Sequence, residues 1–298
     1  MIDVKNCRKP DLQETAVLPN RAVIACQGVE GAYSQIAANT LFKNPDVMYM
    51  RTFDGVFRAV DNGLCRYGVL PLENSNAGSV TDVYDLMKTY KFFIVRSVKV
   101  CISHMLLQKT KTSIEKIKEI YTHEQAARQC SRFLEQNSHI KMNLSANTAA
   151  AAQFVAESDR NDIAAIASEN CIQLYNLTAS SKNIQNNNNN YTRFICISKE
   201  CEIFDNADKI SLMLSLKNKA GALYEIIKQF AERKLNLIKL ESRPIADTDF
   251  EFMFYFDVQA NIENEDVYNL ILQLENSTQQ LAFLGNYSEI NNSLKINC

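Results

Sequence analysis

The periodicity of the apolar residues changes near residue 200, and this change constrains the fold more than any other feature of the sequence. Beyond it, apolar residues alternate over 210–216, which predicts a strand with one buried face. The segments that follow predict a helix, two strands, a second helix and a last strand over 223–231, 236–245, 250–260, 267–274 and 281–287. The order βαββαβ in so short a stretch is the pattern of a ferredoxin-like sandwich.

Before residue 200, short apolar runs alternate with stretches of helical periodicity. A strand, a glycine loop and a helix are predicted over 22–41, and a helical stripe, a buried strand and a polar loop over 53–78. Such alternation indicates parallel α/β structure. Because the apolar run 92–107 is too long for one strand and a strand resumes at 193–197, we expect two crossings between two lobes with a cleft between them. The fold class is therefore α/β, with a domain boundary near 199–208.

The charge balance excludes some classes of partner. The 34 acidic and 32 basic residues give a formal net charge of −2, without the basic surplus that binding a nucleic-acid backbone requires. No apolar run approaches the roughly 20 residues of a membrane span, and residues 1–20 lack the apolar centre of a secretory signal. We expect a cytoplasmic protein with no nucleic-acid partner and no membrane partner.

Metal and disulfide chemistry have little support in the sequence. The nine cysteines are an odd number and no two have C-x-x-C spacing, so we expect them to be small core residues. The three histidines, His104, His123 and His139, are not paired at helical spacing, which leaves too few ligands for a transition metal. The expected mechanism uses no metal and no cofactor.

Three stretches near predicted strand ends are candidates for the walls of a binding site. The glycine loop 28–34 lies where a strand meets a helix N-terminus, whose free N–H groups attract carboxylates or phosphates. Residues 70–78 follow a buried strand, and ligands collect at such ends in open α/β sheets. In the third stretch, Thr192 and Phe194 face one side of a strand and Arg193 the other. Taken alone, each stretch is also compatible with an ordinary turn or strand.

The order of these stretches resembles the prephenate dehydratase family. Five separated stretches match the family's pattern in the family's order: 28–34, 68–75 with Gly78 and Val80, 147–152, 164–168 and 192–194. Residues 221–223 and 241–244 resemble that family's regulatory ACT domain. Together the matches cover about residues 21–290.

The resemblance implies two domains. The first, residues 21–199, is a periplasmic-binding-protein-like catalytic domain with a cleft between its two lobes. Its lobes are expected at about 21–100 plus 180–199 and at 101–179. The second, residues 208–290, is a ferredoxin-like ACT domain that regulates the first.

The resemblance also implies a reaction, the loss of carbon dioxide and a hydroxyl from prephenate to give phenylpyruvate in L-phenylalanine biosynthesis. This is lyase chemistry driven by aromatisation, in which positioned hydrogen-bond donors matter more than a nucleophile or a metal. Thr192 is expected to donate to the departing hydroxyl, with Arg193 and Phe194 completing the catalytic motif. The expected substrate contacts are Gly31, Ser34, Glu73, Asn74, Ser75 and Thr148. For Glu73, buttressing its loop and acting as an acid both remain open.

The implied ACT domain binds phenylalanine between paired copies. End-product inhibition and a homodimer or homotetramer are therefore expected. The expected effector contacts are Gly221, Ala222 and Leu223 at a helix start, and Asn236, Glu241, Ser242 and Arg243 on the strand that follows. The alternative is that these stretches are merely a helix-start glycine and a strand end.

The sequence departs from the family's pattern at two positions, and two alternative functions remain open. Glu124 follows His123 where the family usually has proline, and an acidic residue commonly seen ahead of the T-R-F motif is replaced within the asparagine run 186–190, which predicts a loop. The twenty-residue lead-in is too short for a fused chorismate mutase, so a monofunctional chain is expected. The alternatives are an arogenate dehydratase, whose substrate carries an amine where prephenate has a keto group, and a non-catalytic amino-acid-sensing binding protein.

Overall fold

The computed structural model describes Pro19 and residues 21–245 and 251–291. The predicted lead-in lies outside these residues except for Pro19. The chain divides into two compact units. We name residues 20–85 and 98–194 the cleft unit, and residues 86–97 and 195–290 the C-terminal unit.

The first part of the cleft unit alternates strands and helices, as predicted. Its elements are β1 (Arg21–Gln27), α1 (Tyr33–Leu41), β2 (Asn44–Met50), α2 (Phe53–Asp61), β3 (Tyr67–Asn74) and β4 (Gly78–Ser79). Strand β1 pairs in parallel with β2 and β3, because α1 and α2 return the chain to the same end of the sheet. Strand β3 continues to Asn74, so the prediction of a polar loop from residue 71 is wrong for its first four residues.

Among the elements that begin in one unit and end in the other are α3 (Thr81–Tyr90), β5 (Phe93–Cys101) and β11 (Tyr191–Ser198). Strands β5, β11, β3, β1 and β2 are neighbours in that order in one sheet. Strand β11 therefore lies beside β3, which brings residues 73–75 close to residues 190–192.

The second part of the cleft unit forms a separate sheet with the order β10-β6-β9-β7-β8. Its elements are β6 (Met105–Gln108), a 3-10 turn (Ile114–Lys116), β7 (Glu119–Thr122), α4 (Glu124–Gln129), α5 (Ser131–Gln136), β8 (Lys141–Leu144), α6 (Thr148–Glu157), β9 (Ile163–Ala167), α7 (Asn170–Leu174) and β10 (Thr178–Ser181). The run 92–107 divides into β5 and β6, which belong to different sheets, so the predicted crossing is confirmed. Helices α4 and α5 are separated at Cys130.

Strand β9 shows why its sequence is continuously apolar. Ile163, Ala165 and Ala167 pack into one apolar cluster with α6, and Ala164 and Ile166 pack into a second cluster on the other face. A strand buried on both faces has no position for a polar side chain.

The C-terminal unit confirms the βαββαβ order. It contains β12 (Lys209–Ser215), α8 (Ala222–Glu232), β13 (Asn236–Pro244), β14 (Phe252–Gln259), α9 (Glu265–Ser277), β15 (Gln280–Tyr287) and β16 (Glu289–Asn291). The first six form an antiparallel sheet of order β13-β14-β12-β15 with two helices. Phe256, Phe283 and Leu212 pack against Phe230 of α8 and Leu270 of α9 to form the core.

The division into units differs from the predicted domains 21–199 and 208–290. Residues 86–97 group with the C-terminal unit, where the Ser97 N–H donates to the carbonyl of Ser288 at 3.1 Å. Residues 195–199 group with the same unit. The predicted domain boundaries stay a prediction.

The cysteines follow the prediction in part. Cys26, Cys65, Cys130, Cys171 and Cys196 are buried free thiols. Cys101 and Cys201 each take part in a disulfide bond, so the prediction is wrong for these two. Spacing along the chain detects only partners that are close in sequence, which is why it missed these residues. Within the described residues, no helix is long and apolar enough to cross a membrane.

Candidate active site

The cleft unit contains a cavity of about 390 Å³, which we name the cleft. Residues from both of its sheets line it. The polar lining residues are Gln27, Tyr33, Ser34, Asn74, His104, His123, Gln125, Gln129, Asn147, Thr148 and Thr192. The apolar lining residues are Ala32, Phe53, Pro71, Val80, Ile102, Ala126, Ala146 and Phe194.

The hydroxyl of Thr192 is held in the cleft by Asn74. The Asn74 Nδ2 group donates to Thr192 Oγ1 at 2.9 Å, and both residues are more than nine-tenths buried. A hydroxyl that accepts this bond keeps its own proton for another acceptor. Within the described residues, that proton has no acceptor, so Thr192 is able to donate it to a ligand in the cleft.

Asn74 is itself fixed at the end of β3. Its Oδ1 accepts from the N–H groups of Asn76 at 3.0 Å and Ala77 at 2.9 Å, as an Asx turn does. Its Nδ2 also donates to Asn190 Oδ1 at 2.8 Å. The amide therefore cannot rotate without losing several hydrogen bonds, which fixes the orientation of the Thr192 hydroxyl.

The asparagine run forms a loop, as predicted, and its side chains connect its two ends to different elements. Asn186 Oδ1 accepts from the Arg132 N–H of α5 at 3.1 Å, and its Nδ2 donates to Ser131 Oγ at 2.9 Å. At the other end, Asn190 is buried and accepts from Asn74. The run thus supports the Asn74–Thr192 pair.

Two helix N-termini reach the cleft, one from each sheet. Helix α1 presents Ser34, whose hydroxyl donates to the carbonyl of Gln27 at 2.6 Å. Helix α6 begins at Thr148, and its N-cap Asn147 accepts from the Ala150 N–H at 2.8 Å. The first turn of a helix leaves backbone N–H groups without intrahelical partners, and these groups suit an anion.

Neutral groups dominate the cleft. None of the described lining residues is Lys, Arg, Asp or Glu. Burial lowers the pKa of His104, against a smaller opposing effect of its hydrogen bond to Gln129. Burial likewise lowers the pKa of His123, against the nearby Glu124 carboxylate. Both histidines are therefore neutral near pH 7. The described residues contain no cluster of three His, Cys, Asp or Glu side chains suited to a metal.

Five of the predicted catalytic and substrate-contact residues line the cleft: Thr192, Phe194, Ser34, Asn74 and Thr148. Arg193 is 5% exposed on the opposite side of β11, where its Nε lies 2.9 Å from Glu73 Oε1. Strand alternation imposes this orientation. The described lining of the cleft therefore includes no guanidinium, and the Arg193–Glu73 ion pair joins β11 to β3. The catalytic role expected of Arg193 and the substrate contact expected of Glu73 stay predictions.

Ser75 and Gly31 also lie away from the cleft lining. Ser75 Oγ accepts from the Tyr191 N–H at 3.0 Å, which ties the end of β3 to the start of β11. Gly31 has φ +87° and faces α7, where a Cβ would lie 3.0 Å from Leu174 Cδ2. These two residues shape the walls and do not line the cleft.

The predicted effector residues occupy two elements of the C-terminal unit. Gly221, with φ +80°, is the N-cap of α8, and Ala222 and Leu223 pack against the core. Strand β13 carries Asn236, Glu241, Ser242 and Arg243. Within the sheet, β13 is an edge strand.

Several residues that line the cleft are only partly predictable from the sequence. The Nδ1 of His123 accepts from the Gln125 N–H at 3.3 Å at the start of α4, and His123 also lines the cleft. Asn147 had a detectable signal, since an asparagine ahead of a helical stripe is a typical N-cap. Gln27, His104 and Gln129 had none, because nothing local marks which polar residue of a strand end or helix faces a cavity.

A cavity between two sheets that offers hydroxyl, amide and helix-end donors defines an α/β protein with a site suited to a small anionic molecule. A sequence model of the prephenate dehydratase family matches residues 24–202. The bifunctional chorismate mutase/prephenate dehydratase of Enterobacter agglomerans is 35% identical over 276 residues, 91% of this chain and 71% of the relative. The chain belongs to the prephenate dehydratase family, whose members are lyases.

Two further relatives are informative. Arogenate dehydratase/prephenate dehydratase 2 of Arabidopsis thaliana, a chloroplastic protein, is 34% identical over 287 residues, 93% of this chain and 75% of the relative. The crystal structure of prephenate dehydratase from Arthrobacter aurescens in complex with L-Phe has a TM-score of 0.81 and 26% identity, covering 89% of each chain. The mixed α/β fold of this chain is therefore that of its family.

Proposed function

We propose that this protein converts prephenate to phenylpyruvate by decarboxylative dehydration. The observation that carries the proposal is the bond from Asn74 Nδ2 to Thr192 Oγ1, because it leaves the threonine proton available to a substrate oxygen. Family membership supports the choice of substrate.

The substrate is a dianion, and the cleft has neutral donors for it. The N-termini of α1 and α6 suit one carboxylate each, since each combines free N–H groups with the positive end of a helix dipole. Ser34 and Thr148 stand at these two ends. Phe194 and Phe53 supply apolar surface for the ring. A cation beside the departing carboxylate would stabilise it and oppose its loss as carbon dioxide. Neutral donors bind the dianion without this opposing effect.

The reaction balances with one proton. The bond from the ring to its carboxylate breaks, carbon dioxide leaves, and the electron pair enters the ring as the carbon–oxygen bond to the hydroxyl breaks. The hydroxyl takes a proton and leaves as water. Thr192 supplies a positioned hydrogen bond to that oxygen, and a proton from solvent restores the balance, because a threonine hydroxyl is too weak an acid to be consumed.

The test replaces Thr192 by Val, which keeps the shape and removes the hydroxyl. We expect kcat to fall by about 100-fold to 1000-fold, as for loss of a transition-state donor, with KM changed less than about threefold. Thr192→Ser, the matched control, is expected to retain most of the activity. Phenylpyruvate formation from prephenate is the measurement, and an active Thr192→Val variant contradicts the proposed role.

A second candidate substrate is arogenate, because the Arabidopsis relative carries both activities in its name. The two substrates differ only by an amine or a keto group on the side chain. Within the described residues, no acidic side chain lines the cleft to pair with that amine, which favours prephenate. Values of kcat/KM for both substrates on the same preparation decide between them, and a higher value for arogenate reverses the assignment.

We also propose that the C-terminal unit is an ACT domain that binds L-phenylalanine and inhibits the enzyme. Its βαββαβ order, the position of Gly221 at the start of α8 and the L-Phe complex of the Arthrobacter relative support this. The edge strand β13 carries the exposed side chains Ile238 and Leu240, which suits pairing with a second copy in a homodimer or homotetramer. Phenylalanine is expected to lower activity and raise the melting temperature. Sedimentation with and without phenylalanine tests the assembly, and a monomer contradicts it.

A further inference from the structure

We propose that His104 is a positioning residue that orients the side-chain amide of Gln129 towards the substrate. The proposal rests on the proposed function, because the amide is expected to bind a carboxylate oxygen of prephenate. Both residues line the cleft, and neither belongs to the motifs that the sequence singled out.

The two side chains are joined directly. His104 Nε2 lies 2.9 Å from Gln129 Oε1. Because a neutral imidazole has one N–H and one lone pair, and Oε1 is an acceptor, Nε2 carries the proton. The second ring nitrogen, Nδ1, is then a lone pair that is buried without a hydrogen-bond partner among the described residues. A buried acceptor left unpaired costs less than a buried donor, so this tautomer is the favoured one.

His104 cannot bind the substrate through its free nitrogen. The residue is 2% exposed, and the Nδ1 atom has almost no accessible surface. Among the described residues, the side-chain hydrogen bond of His104 goes to Gln129, and through this bond His104 acts on the substrate.

Hydrogen bonds fix the main chains of both residues, and this limits the movement of the two side chains. The His104 N–H donates to Gln185 Oε1 at 3.0 Å, and its carbonyl accepts from the Ile184 N–H at 3.1 Å. The Gln129 carbonyl accepts from the Asn186 N–H at 2.7 Å. The His104 ring also meets the edge of the Tyr33 ring, with centroids 6.3 Å apart.

The bond to His104 decides which end of the Gln129 amide faces the cleft. With Oε1 occupied by His104, the Nε2 group is the end that remains for a ligand. An amide N–H₂ is a donor, so it suits a carboxylate oxygen, whereas a free Oε1 would repel one. A glutamine amide is able to present either its oxygen or its N–H₂ group, and the bond to His104 selects the N–H₂ group. This donor matters because the described lining of the cleft has no cation.

The test is a double-variant cycle with prephenate as substrate. His104→Leu removes the imidazole donor, and Gln129→Met removes the amide at similar length. We expect each to raise KM about tenfold, as for loss of a hydrogen bond to a charged group, with kcat changed less. The double variant is expected to be no worse than Gln129→Met alone, because His104 acts through Gln129. Additive effects, or a His104→Leu variant with unchanged KM, overturn the proposal.

Two controls separate positioning from general structural damage. His104→Gln keeps an N–H donor and is expected to recover part of the lost affinity, whereas recovery no better than that of the Leu variant overturns the proposal. His139→Leu, at an exposed histidine outside the cleft lining, is expected to leave KM unchanged.

The tautomer provides a readout that needs no turnover. With only three histidines in the chain, nitrogen-15 labelling and the His104→Gln variant assign the His104 signals. A neutral ring protonated at Nε2 supports the proposal, and protonation at Nδ1 overturns it. If the parent chain fails to convert prephenate, the proposed function fails while the tautomer still tests the pair.

Discussion

The two units each contain a strand-to-helix junction with a glycine at positive φ, and the two glycines have different surroundings. Gly31, ahead of α1 in the cleft unit, has φ +87°, and a Cβ there would lie 3.0 Å from Leu174 Cδ2 and 3.2 Å from Cys171 Sγ. Gly221, at the start of α8 in the C-terminal unit, has φ +80°, and no atom of the described residues lies within 4 Å of the same position. The backbone requires glycine at both sites, but packing requires it only at Gly31.

The difference shows what each junction does. The loop around Gly31 belongs to one sheet of the cleft unit and packs on the other, since Ala32 and Val29 join the apolar cluster of α6 and β9. The Tyr175 hydroxyl adds a hydrogen bond to the Glu30 carbonyl at 2.7 Å. This junction fixes the walls of the cleft, whereas at Gly221 no described atom lies close to the position of an added side chain.

The largest expected effect comes from Gly31→Ala. Positive φ costs an L-residue about 1 kcal/mol or more, and the contact with Leu174 and Cys171 adds an overpacking cost, for a total of about 2–3 kcal/mol of unfolding free energy. Urea denaturation measures it. The variant Gly31→Ala with Leu174→Ala is expected to recover only the part of the overpacking cost that comes from Leu174, because the contact with Cys171 Sγ remains. A loss equal to that of Gly221→Ala contradicts the difference between the two junctions.

Acidification is expected to weaken the cleft unit selectively. Because burial lowers the pKa of His104 and His123, the unfolded chain takes up protons below about pH 6.5 that the folded chain resists. The contribution of these two histidines to stability is unaffected above that pH and is lost progressively as the pH drops towards the lowered folded values. All three histidines lie between residues 104 and 139, outside the C-terminal unit.

Amide hydrogen exchange at pH 7.5, 6.5 and 5.5 reads the two units separately. The expected loss of protection is in the cleft unit, and His104→Gln combined with His123→Gln is expected to flatten it. An equal loss in both units, or one that persists in the double variant, contradicts the assignment to these histidines.

Each unit has a helix with an asparagine N-cap, and the two asparagines allow the same substitution to be compared in both units. Asn147 caps α6 at the cleft, and Asn264 caps α9 in the C-terminal unit through a bond from the Asp266 N–H at 2.9 Å. Replacing either by Ala is expected to cost about 1 kcal/mol of unfolding free energy. Only Asn147→Ala is expected to raise KM as well, because the N-terminus of α6 lies at the cleft, which is the proposed substrate site. Steady-state kinetics beside thermal melting check this, and a raised KM in Asn264→Ala contradicts it.

The smallest expected effect is that of Gly221→Ala. The added methyl group contacts no described atom, so its cost is the backbone strain of positive φ. The lower entropy of the unfolded chain offsets part of this cost. The free energy of unfolding is expected to fall by about 0.5–1 kcal/mol. Gly221→Asn is expected to cost less, since asparagine tolerates this conformation. Thermal melting measures both. A loss above 2 kcal/mol indicates an unrecognised contact at this helix start.

Much of the fold was predictable because its signals are periodic. Alternation over β12 and the stripe of α8 located both elements, and the long run through residue 100 indicated the crossing between sheets. The end of β3 was missed because Pro71, Glu73 and Asn74 are typical loop residues, while pairing with β4 and β11 keeps the backbone extended. The break at Cys130 between α4 and α5 left no composition signal.

The candidate site was predictable where a residue's neighbours in sequence determine its surroundings. Alternation along β11 already separated Thr192 and Phe194 from Arg193, although the resemblance grouped all three. The partner of Arg193 was not predictable, because Glu73 is brought to it by strand pairing over more than a hundred residues. For the same reason, His104 and Gln129 became visible only as a pair in space.

The asparagine run is expected to tolerate substitutions better than changes in its length. Most substitutions at its exposed middle positions leave the anchors at Asn186 and Asn190 intact. Deletion or insertion of one residue is different, because it shifts Asn190 along the chain relative to Asn74. The hydrogen bond between Asn74 and Asn190 is then disturbed, and with it the orientation of Thr192. The number of residues in the run is therefore expected to matter more than the identity of its exposed middle residues.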